Sequence, residues 1–420
     1  MKKVLFVQSS LGLGGIETFF VRLVKELNKK GVRPQFVFLY KKIINPKLLE
    51  QLEKHADVYY WQDLLAFSSE ALGEKGRLMF PLSVSKVSAL FSECEAVHVS
   101  NALTYLCAQR LAACLPQKVK CVFGIYHTNE LAWGGNKLPV YEGFFRKKIF
   151  AAPPMFLFFN QSSVDKTAKK NGSPNYPSML FPLGVDMPSN ASSVKAILGE
   201  KLRLVSVGRL VEFKTYNLYM LDVARKLKDE GVQFSYSIFG SGPLHGAMKD
   251  RVEELGLEAE VILEGDLEYS KLDEELSRHQ VFIGTGTALL HAAANGLACI
   301  TAIENEKDSN SYGYFSELPG YDYHEQDMDF QKYKFYDVIA EYSLLDEAGR
   351  SDLSERHRAK SKAFNMESCA DNFVVAFEDA PAIKKSSAIF FSFMLRFAIC
   401  EVWASITSGE KYSKKYEHVL

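Results

Sequence analysis

The stretch LRLVSVGRLVEFK, residues 202–214, decides the fold of this chain. Its first six residues are rich in Val and Leu and end at Gly208, which is typical of a strand buried inside a parallel sheet. Arg209 and Lys214 follow in the loop at the carboxyl end of that strand. Ligands of open α/β sheets bind at this end, and a guanidinium can bind two phosphate oxygens at once. The segment predicts an α/β sheet with a diphosphate site, although an ordinary loop with two solvated cations would have the same local sequence.

The composition indicates a globular protein with more than one domain. A chain of 420 residues is too long for one ordinary core. The 50 Lys and Arg against 51 Asp and Glu leave a net charge of −1, which argues against nucleic acid as a partner. Seven cysteines without a Cys-x-x-Cys pair indicate neither disulfides nor a zinc site, so we expect no metal and a cytoplasmic location. The start, MKKVLFVQSS, reads as a first strand because its apolar run is too short for a signal peptide.

Apolar strands alternate with helical stretches along both halves of the chain, a pattern typical of parallel sheets covered by helices. In the first half we predict strands at 2–8, 33–40, 95–100, 120–127 and 154–160, and helices at 18–27, at 104–114 and from Ser162 or Ser163. In the second half we predict strands at 202–207, 233–240, 259–265, 281–286 and 298–303, and helices at 217–230, 246–255, 269–277 and 287–294. Residues 182–201 are linker-like in composition, and 304–331 are predicted to be loops.

The longest apolar segment, residues 388–406, raises the question of a membrane span. Arg396 and Glu401 interrupt it, and each would cost roughly 2.5 to 3.5 kcal/mol at the centre of a bilayer. We therefore expect a helix docked on the protein. The flanking residues Lys384, Lys385, Lys411, Lys414 and Lys415 leave open a helix that lies on the inner face of the cell membrane as a peripheral contact.

A glycine-rich loop follows the first predicted strand. Gly14 and Gly15 precede a predicted helix at Thr18, so the backbone can approach a ligand and the first amides of the helix can face an anion. An NAD-binding fingerprint and a plain tight turn are the alternatives. NAD is disfavoured because Lys41 and Lys42 follow the second strand, where an acidic residue for the ribose would be expected.

Six motifs occur in order along the chain: LGLGGIE at 11–17, IYHTNE at 125–130, FPLGVD at 181–186, VGRLVEFK at 207–214, FGSGPL at 239–244 and FNMES at 364–368. Together they resemble the motifs of the retaining glycosyltransferases of GT-B architecture, in particular family 4, the glycosyl transferases group 1. The resemblance implies an α/β fold of two Rossmann-like parallel-sheet domains that face each other across a cleft. It implies an acceptor-binding domain at 1–185, completed by a C-terminal helix at about 382–420, and a nucleotide-sugar domain at 200–380.

The resemblance also implies the roles of individual residues. Catalysis is assigned to Arg209, Lys214 and His127, although on local sequence His127 is equally a core histidine. Acceptor binding is assigned to Glu17. Glu17 and Asp186 are expected to face the same cleft, and either carboxylate could instead cap or pin a loop. Donor binding is assigned to Gly14, Gly15, Gly208, Gly240, Gly242, Gly284, Thr285, Gly286, Thr287, Ala288 and His291.

The chain departs from the family pattern at residues 284–296, GTGTALLHAAANG. The family usually carries two glutamates eight residues apart here; this chain has Ile283 or a shortened loop at the first position and His291 at the second. A histidine can still hydrogen-bond a ribose hydroxyl, but it lacks the fixed charge of a carboxylate. The departure keeps two alternatives open, a catalytically silent protein that binds a nucleotide sugar or a partner glycosyltransferase, and a nucleotide-sugar 2-epimerase.

The implied reaction transfers a hexosyl group from a nucleoside diphosphate sugar to an acceptor hydroxyl with retention of configuration. The nucleotide sugar is a co-substrate, no cofactor is expected, and the acceptor is a saccharide or a lipid-linked saccharide in surface polysaccharide or glycolipid assembly. Arg209, Lys214 and the amides of Thr285 to Ala288 would stabilise the departing diphosphate. Because these groups supply the positive charge and no Asp-x-Asp pair is present, no divalent ion is required.

Overall fold

The computed structural model describes residues 2–12, 14–67, 73–126, 130–131, 140–171, 176–188, 201–326 and 328–408. The chain forms two compact units. The first unit comprises Met1–Leu183 and Glu367–Leu420, and the second comprises Gly184–Met366.

The described residues of the first unit form a parallel sheet of seven strands. The strands are β1 (Lys2–Gln8), β2 (Val32–Phe38), β3 (Asp57–Tyr60), β4 (Cys94–Val99), β5 (Lys120–Ile125), β6 (Met155–Phe158) and β7 (Ser178–Leu180). Their order in the sheet is β3-β2-β1-β4-β5-β6-β7. The helices before the linker are α1 (Gly15–Lys29), α2 (Pro46–Glu53), α3 (Glu74–Arg77), α4 (Val84–Phe91), α5 (Ala102–Ala113), α6 (Val140–Ala151) and α7 (Gln161–Asn171).

The sequence explains where these elements begin and which face they bury. Strand β1 is an apolar run whose last five residues are buried, as expected for a central parallel strand. Helix α1 buries Phe19, Phe20 and Leu23 on one side, and it begins at Gly15 because Gly14 takes the extended N-cap conformation. Helix α5 begins at a capping box, in which the Asn101 side chain accepts from the Thr104 amide at 3.0 Å.

The described residues of the second unit form another sheet of seven strands. They are β8 (Leu202–Val207), β9 (Phe234–Phe239), β10 (Val261–Gly265), β11 (Val281–Gly284), β12 (Ala298–Ala302), β13 (Asn310–Tyr314) and β14 (Tyr333–Lys334), in the order β10-β9-β8-β11-β12-β13-β14. The helices are α8 (Tyr216–Asp229), α9 (His245–Glu254), α10 (Leu272–Leu276), α11 (Gly286–Ala294), α12 (Phe335–Leu344) and α13 (Glu347–Ser361). Strands β11 and β12 are buried along their whole length, which explains their continuous apolar sequence.

Two expectations about the second sheet are wrong. It is not wholly parallel, because β13 runs antiparallel to β12 and to β14. Strand β13 falls within 304–331, where the sequence predicts loops, and β14 follows just after that range. Gly313 supports the antiparallel return, since it has a φ of 79° and lies between buried tyrosines. Tyrosine-rich strands broken by glycine do not show the continuous aliphatic pattern of the preceding strands.

The chain returns to the first unit after Met366 and adds α14 (Met366–Asp379) and α15 (Ala388–Ser408). Phe373 of α14 packs with Phe181 and Phe159 of the same unit. Helix α15 packs against α5 and α6. Among the helices that the structure describes, none combines the length and apolarity that a bilayer-spanning helix needs.

Candidate active site

The predicted diphosphate loop lies where the strand order of the second sheet reverses. From β8 the chain proceeds outward through β9 and β10 on one side, and from β11 through β12 on the other. Because β8 and β11 are parallel neighbours, the loops that follow them leave the same edge of the sheet side by side. Open α/β sheets bind their ligands at this position.

Three glycines let the loops after β8 and β9 pack backbone against backbone. The amide of Gly208 donates to the Phe239 carbonyl, and the amide of Leu210 donates to the Ser241 carbonyl, both at 2.9 Å. Gly240 has a φ of 141°, and a Cβ there would overlap the Gly208 carbonyl and lie 2.9 Å from its carbon. A Cβ at Gly242 would lie 2.8 Å from the carbonyl carbon of Leu210. The three predicted glycines therefore shape the loop that carries Arg209 and Lys214.

The two predicted cations have no ionic partner within the described part of the chain. Arg209 is exposed, and Lys214 is half-buried with its ammonium above Gly208, where a Cβ would lie 2.8 Å from Nζ. Burial lowers the pKa of Lys214 below its usual value. The negative charge of Glu304 raises this pKa, and the positive charge of Arg209 lowers it further. Unpaired positive groups at the carboxyl edge of a sheet are suited to an anionic ligand.

The first turn of α11 supplies a second set of donors at the same edge. Thr285 is the N-cap in an extended conformation and its side chain does not cap the helix. Gly286 has a φ of 70°, which lets the chain turn sharply from β11 into the helix. The amides of Gly286, Thr287 and Ala288 lie in the first helical turn, at the positive end of the helix dipole.

Buried side chains at the start of α8 connect the two loops. Tyr216 is buried against Thr285; burial raises its pKa and Thr285 lowers it. The side-chain nitrogen of Asn217 and the hydroxyl of Thr215 are buried without a hydrogen-bond partner in the described residues. Buried polar groups are nearly always satisfied, so these two atoms are unusual next to a candidate ligand site.

Glu304 and His324 belong to the site, and the sequence analysis did not identify either. Glu304 follows β12, and its amide donates to the His324 carbonyl at 3.0 Å. Nδ1 of His324 lies 3.9 Å from a carboxylate oxygen of Glu304. Burial lowers the pKa of His324, but Glu325 and Glu304 raise it by more, so the pKa lies above the usual value. The sequence did carry a signal for Glu304, because it is a charged residue just after the carboxyl end of a strand. His324 carries no such signal, because it joins the site through a contact between residues far apart in the sequence.

The loop after β12 is attached to the cationic loop by its backbone. Asn305 has a φ of 56°, in the left-handed region that asparagine tolerates. Its amide donates to the Phe213 carbonyl at 2.7 Å, and its own carbonyl accepts from the Gln326 side chain at 3.1 Å. These contacts fix Glu304 beside the loop that carries Lys214.

His291 is buried on α11 and hydrogen-bonded within the protein. Its Nε2 lies 3.0 Å from the Tyr269 hydroxyl, which in turn donates to Asp186 at 3.5 Å. Ile283 and Gly284 are fully buried in β11, so the position of the first family glutamate lies inside the sheet rather than in a loop. The carboxylate pair of the family is absent from both positions.

The remaining predicted residues lie in the first unit. Gly14 and Gly15 begin α1, and a Cβ at Gly14 would lie 3.3 Å from the carboxyl carbon of Glu17. The Glu17 carboxylate is therefore folded over the N-terminus of its own helix, which favours a capping role. His127 lies outside the described residues. No group of three His, Cys, Asp or Glu in the described part of the chain is arranged to hold a metal ion.

Residues 190–305 match the family model described as glycosyl transferases group 1, and this range includes the loops after β8, β9 and β11. The chain is therefore similar to the group 1 glycosyltransferases, and it has the α/β architecture called GT-B. These matches confirm the resemblance to group 1 glycosyltransferases and the α/β fold class inferred from the six motifs, whereas family 4 and retention of configuration stay predictions.

Particular relatives agree with this assignment. The chain is 24% identical over 341 residues to EpsF of Bacillus subtilis, described as a glycosyltransferase, covering 71% of this chain and 78% of EpsF. It is 25% identical over 179 residues to WcaL of Escherichia coli, described as a glycosyltransferase of colanic acid biosynthesis, covering 40% of this chain and 42% of WcaL. The crystal structure of Anabaena HepE in complex with UDP and glucose has the same fold, with a TM-score of 0.62, 14% identity and coverage of 90% of this chain and 100% of HepE.

Proposed function

We propose that the protein transfers a sugar from a nucleoside diphosphate sugar to an acceptor hydroxyl with retention of configuration. The observation that carries the proposal is the pair of cations Arg209 and Lys214, which lie in the loop next to the N-terminus of α11 and have no ionic partner among the residues that the structure describes. Similar structures support it, since HepE was crystallised with UDP and with UDP-glucose.

The proposed mechanism is stabilisation of the leaving group. Negative charge builds on the diphosphate as the bond to the sugar breaks, and donors that are already in place stabilise that charge best in the transition state. Arg209 would bind the phosphate oxygens from the solvent side, Lys214 from above Gly208, and the amides of Gly286 to Ala288 from the helix terminus. Because these groups balance the charge, we propose that the reaction needs neither a divalent metal nor a cofactor.

The acceptor and the location are inferred from relatives and composition. WcaL is described as acting in colanic acid biosynthesis, which supports a saccharide or lipid-linked saccharide acceptor in surface polysaccharide or glycolipid assembly. No disulfide joins the seven cysteines, all of which lie among the described residues, and this favours a reducing compartment. We propose that the protein acts in the cytoplasm with a peripheral contact at the inner face of the membrane.

A catalytically silent nucleotide-sugar binder is the second candidate. The observation that favours it is the hydrogen bond of His291 to Tyr269 together with the burial of Ile283, which leaves the family's two carboxylate positions without a carboxylate.

A turnover assay separates the two candidates. UDP-sugars and GDP-sugars are incubated with the protein, with and without a lipid-linked saccharide, and release of the nucleoside diphosphate is measured. We expect release that depends on acceptor, lower in Lys214→Ala and unchanged in the control Lys249→Ala on exposed α9. NMR of the product's anomeric proton then reports retention. Nucleotide-sugar binding without release for any donor and acceptor would favour the silent protein.

A further inference from the structure

Helix α15 is apolar on two opposite faces. Its inner face packs on the core of the first unit through Ile389, Phe390, Phe393, Met394, Phe397 and Cys400. Phe390 is completely buried and Phe393 is 6% exposed. This contact explains how the helix is held on the protein, but it uses only half of the apolar side chains.

The other face of α15 carries an exposed apolar stripe. The outer stripe consists of Phe391, Leu395, Ile399, Val402, Trp403 and Ile406, with exposed fractions from 40% to 76%. Spacings of three and four residues place these side chains on one side of the helix. A helix that is apolar all round is normally buried or lies against an apolar phase, yet within the described residues this stripe remains largely exposed.

The C-terminal segment of the sequence, which includes the outer stripe, has an excess of positive charge. Residues 380–420 contain six Lys and Arg against three Glu, a local charge of +3 in a chain whose net charge is −1. Lys147 and Lys148 are exposed on α6, which packs beside α15. Arg396 does not interrupt the stripe, because its guanidinium lies 4.1 Å from the ring of Phe144 on α6.

We propose that the outer stripe binds the surface of an anionic membrane, with α15 lying in the headgroup region parallel to the bilayer. Apolar side chains enter the boundary of the acyl chains while neighbouring lysines contact anionic headgroups. Trp403, which is 69% exposed, would then lie at the headgroup depth where tryptophan is enriched in membrane proteins. A second copy of the chain is a poorer occupant, because two basic faces repel each other.

Vesicle binding by the full chain tests the proposal without any nucleotide sugar, so it succeeds or fails independently of the proposed transfer reaction. Cosedimentation is measured with phosphatidylcholine vesicles and with vesicles that also contain phosphatidylglycerol. We expect binding to the anionic vesicles, and a decrease of about tenfold or more in the partition coefficient of the double variant Leu395→Glu, Ile399→Glu. The matched control is Leu344→Glu, which changes a side chain that is 86% exposed on α12 of the second unit and should leave binding unchanged.

The fluorescence of the unmodified protein gives a second measurement that does not depend on a variant folding. The chain has three tryptophans, so the shift is assigned by comparison: a blue shift on addition of anionic vesicles that is absent in Trp403→Tyr reports entry of the stripe into lipid. The proposal is overturned if the unmodified chain stays in the supernatant with both vesicles, or if the double variant binds equally well. It is also overturned if light scattering shows a dimer that the double variant dissociates.

Discussion

Replacing Gly240 with alanine tests whether the loop geometry of the second unit depends on glycine. At a φ of 141° an alanine is strained by about 1 to 3 kcal/mol. Its Cβ would also overlap the Gly208 carbonyl, and such overpacking typically costs about 1 to 3 kcal/mol. The opposing atoms are backbone, so no flexible side chain can move aside. We expect Gly240→Ala to lose roughly 2 to 6 kcal/mol of unfolding free energy.

The matched control is Gly246→Ala. Gly246 lies in the first turn of α9, and a Cβ there would meet no atom within 4 Å. Alanine is favoured over glycine in a helix by up to about 1 kcal/mol, so this variant should be as stable as the unmodified protein or more stable. Urea unfolding measures the stability of both variants. Calorimetry of UDP binding shows whether the loop after β8 keeps the shape that the nucleotide needs. A Gly240→Ala variant with unchanged stability and unchanged nucleotide binding would refute the reasoning.

Two further predictions concern neighbouring side chains. Glu304→Gln removes a charge that raises the pKa of Lys214, so Lys214 should deprotonate at lower pH. The alkaline limb of kcat/KM should then move to lower pH, while the control Glu253→Gln leaves it in place; an unmoved limb in Glu304→Gln would contradict the role of Glu304. Tyr269→Phe removes the hydroxyl that is bonded to buried His291 and should lower the unfolding free energy by about 0.5 to 1.5 kcal/mol. Equal urea midpoints for this variant and the unmodified protein would show that the bond contributes nothing.

Short segments of the sequence were enough to predict the features that depend only on neighbouring residues. The strand before Gly208, the cations that follow it and the glycine-rich start of α11 each carry their own signal within a few residues. The alternation of strands and helices likewise predicted the α/β class. The order of the six motifs along the chain indicated the family resemblance, which no single motif would have supported.

Features that depend on contacts between residues far apart in the sequence could not be predicted. His324 joins the site because its carbonyl accepts from the amide of Glu304. The bond of His291 to Tyr269 joins α11 to the turn before α10, and a family position alone gives no sign of it. The antiparallel β13 was missed because its tyrosines and Gly313 resemble a loop in composition.

The account's central claim is that Arg209 and Lys214 bind a diphosphate, and calorimetry of UDP against UMP, and of GDP against GMP, tests it most directly. Base and ribose contacts are common to both members of a pair, so the difference in affinity isolates the second phosphate. We predict tighter binding of the diphosphate by the unmodified protein and by Lys249→Ala, and loss of most of that preference in Arg209→Ala and Lys214→Ala. An undiminished preference in both of the latter variants would contradict the claim.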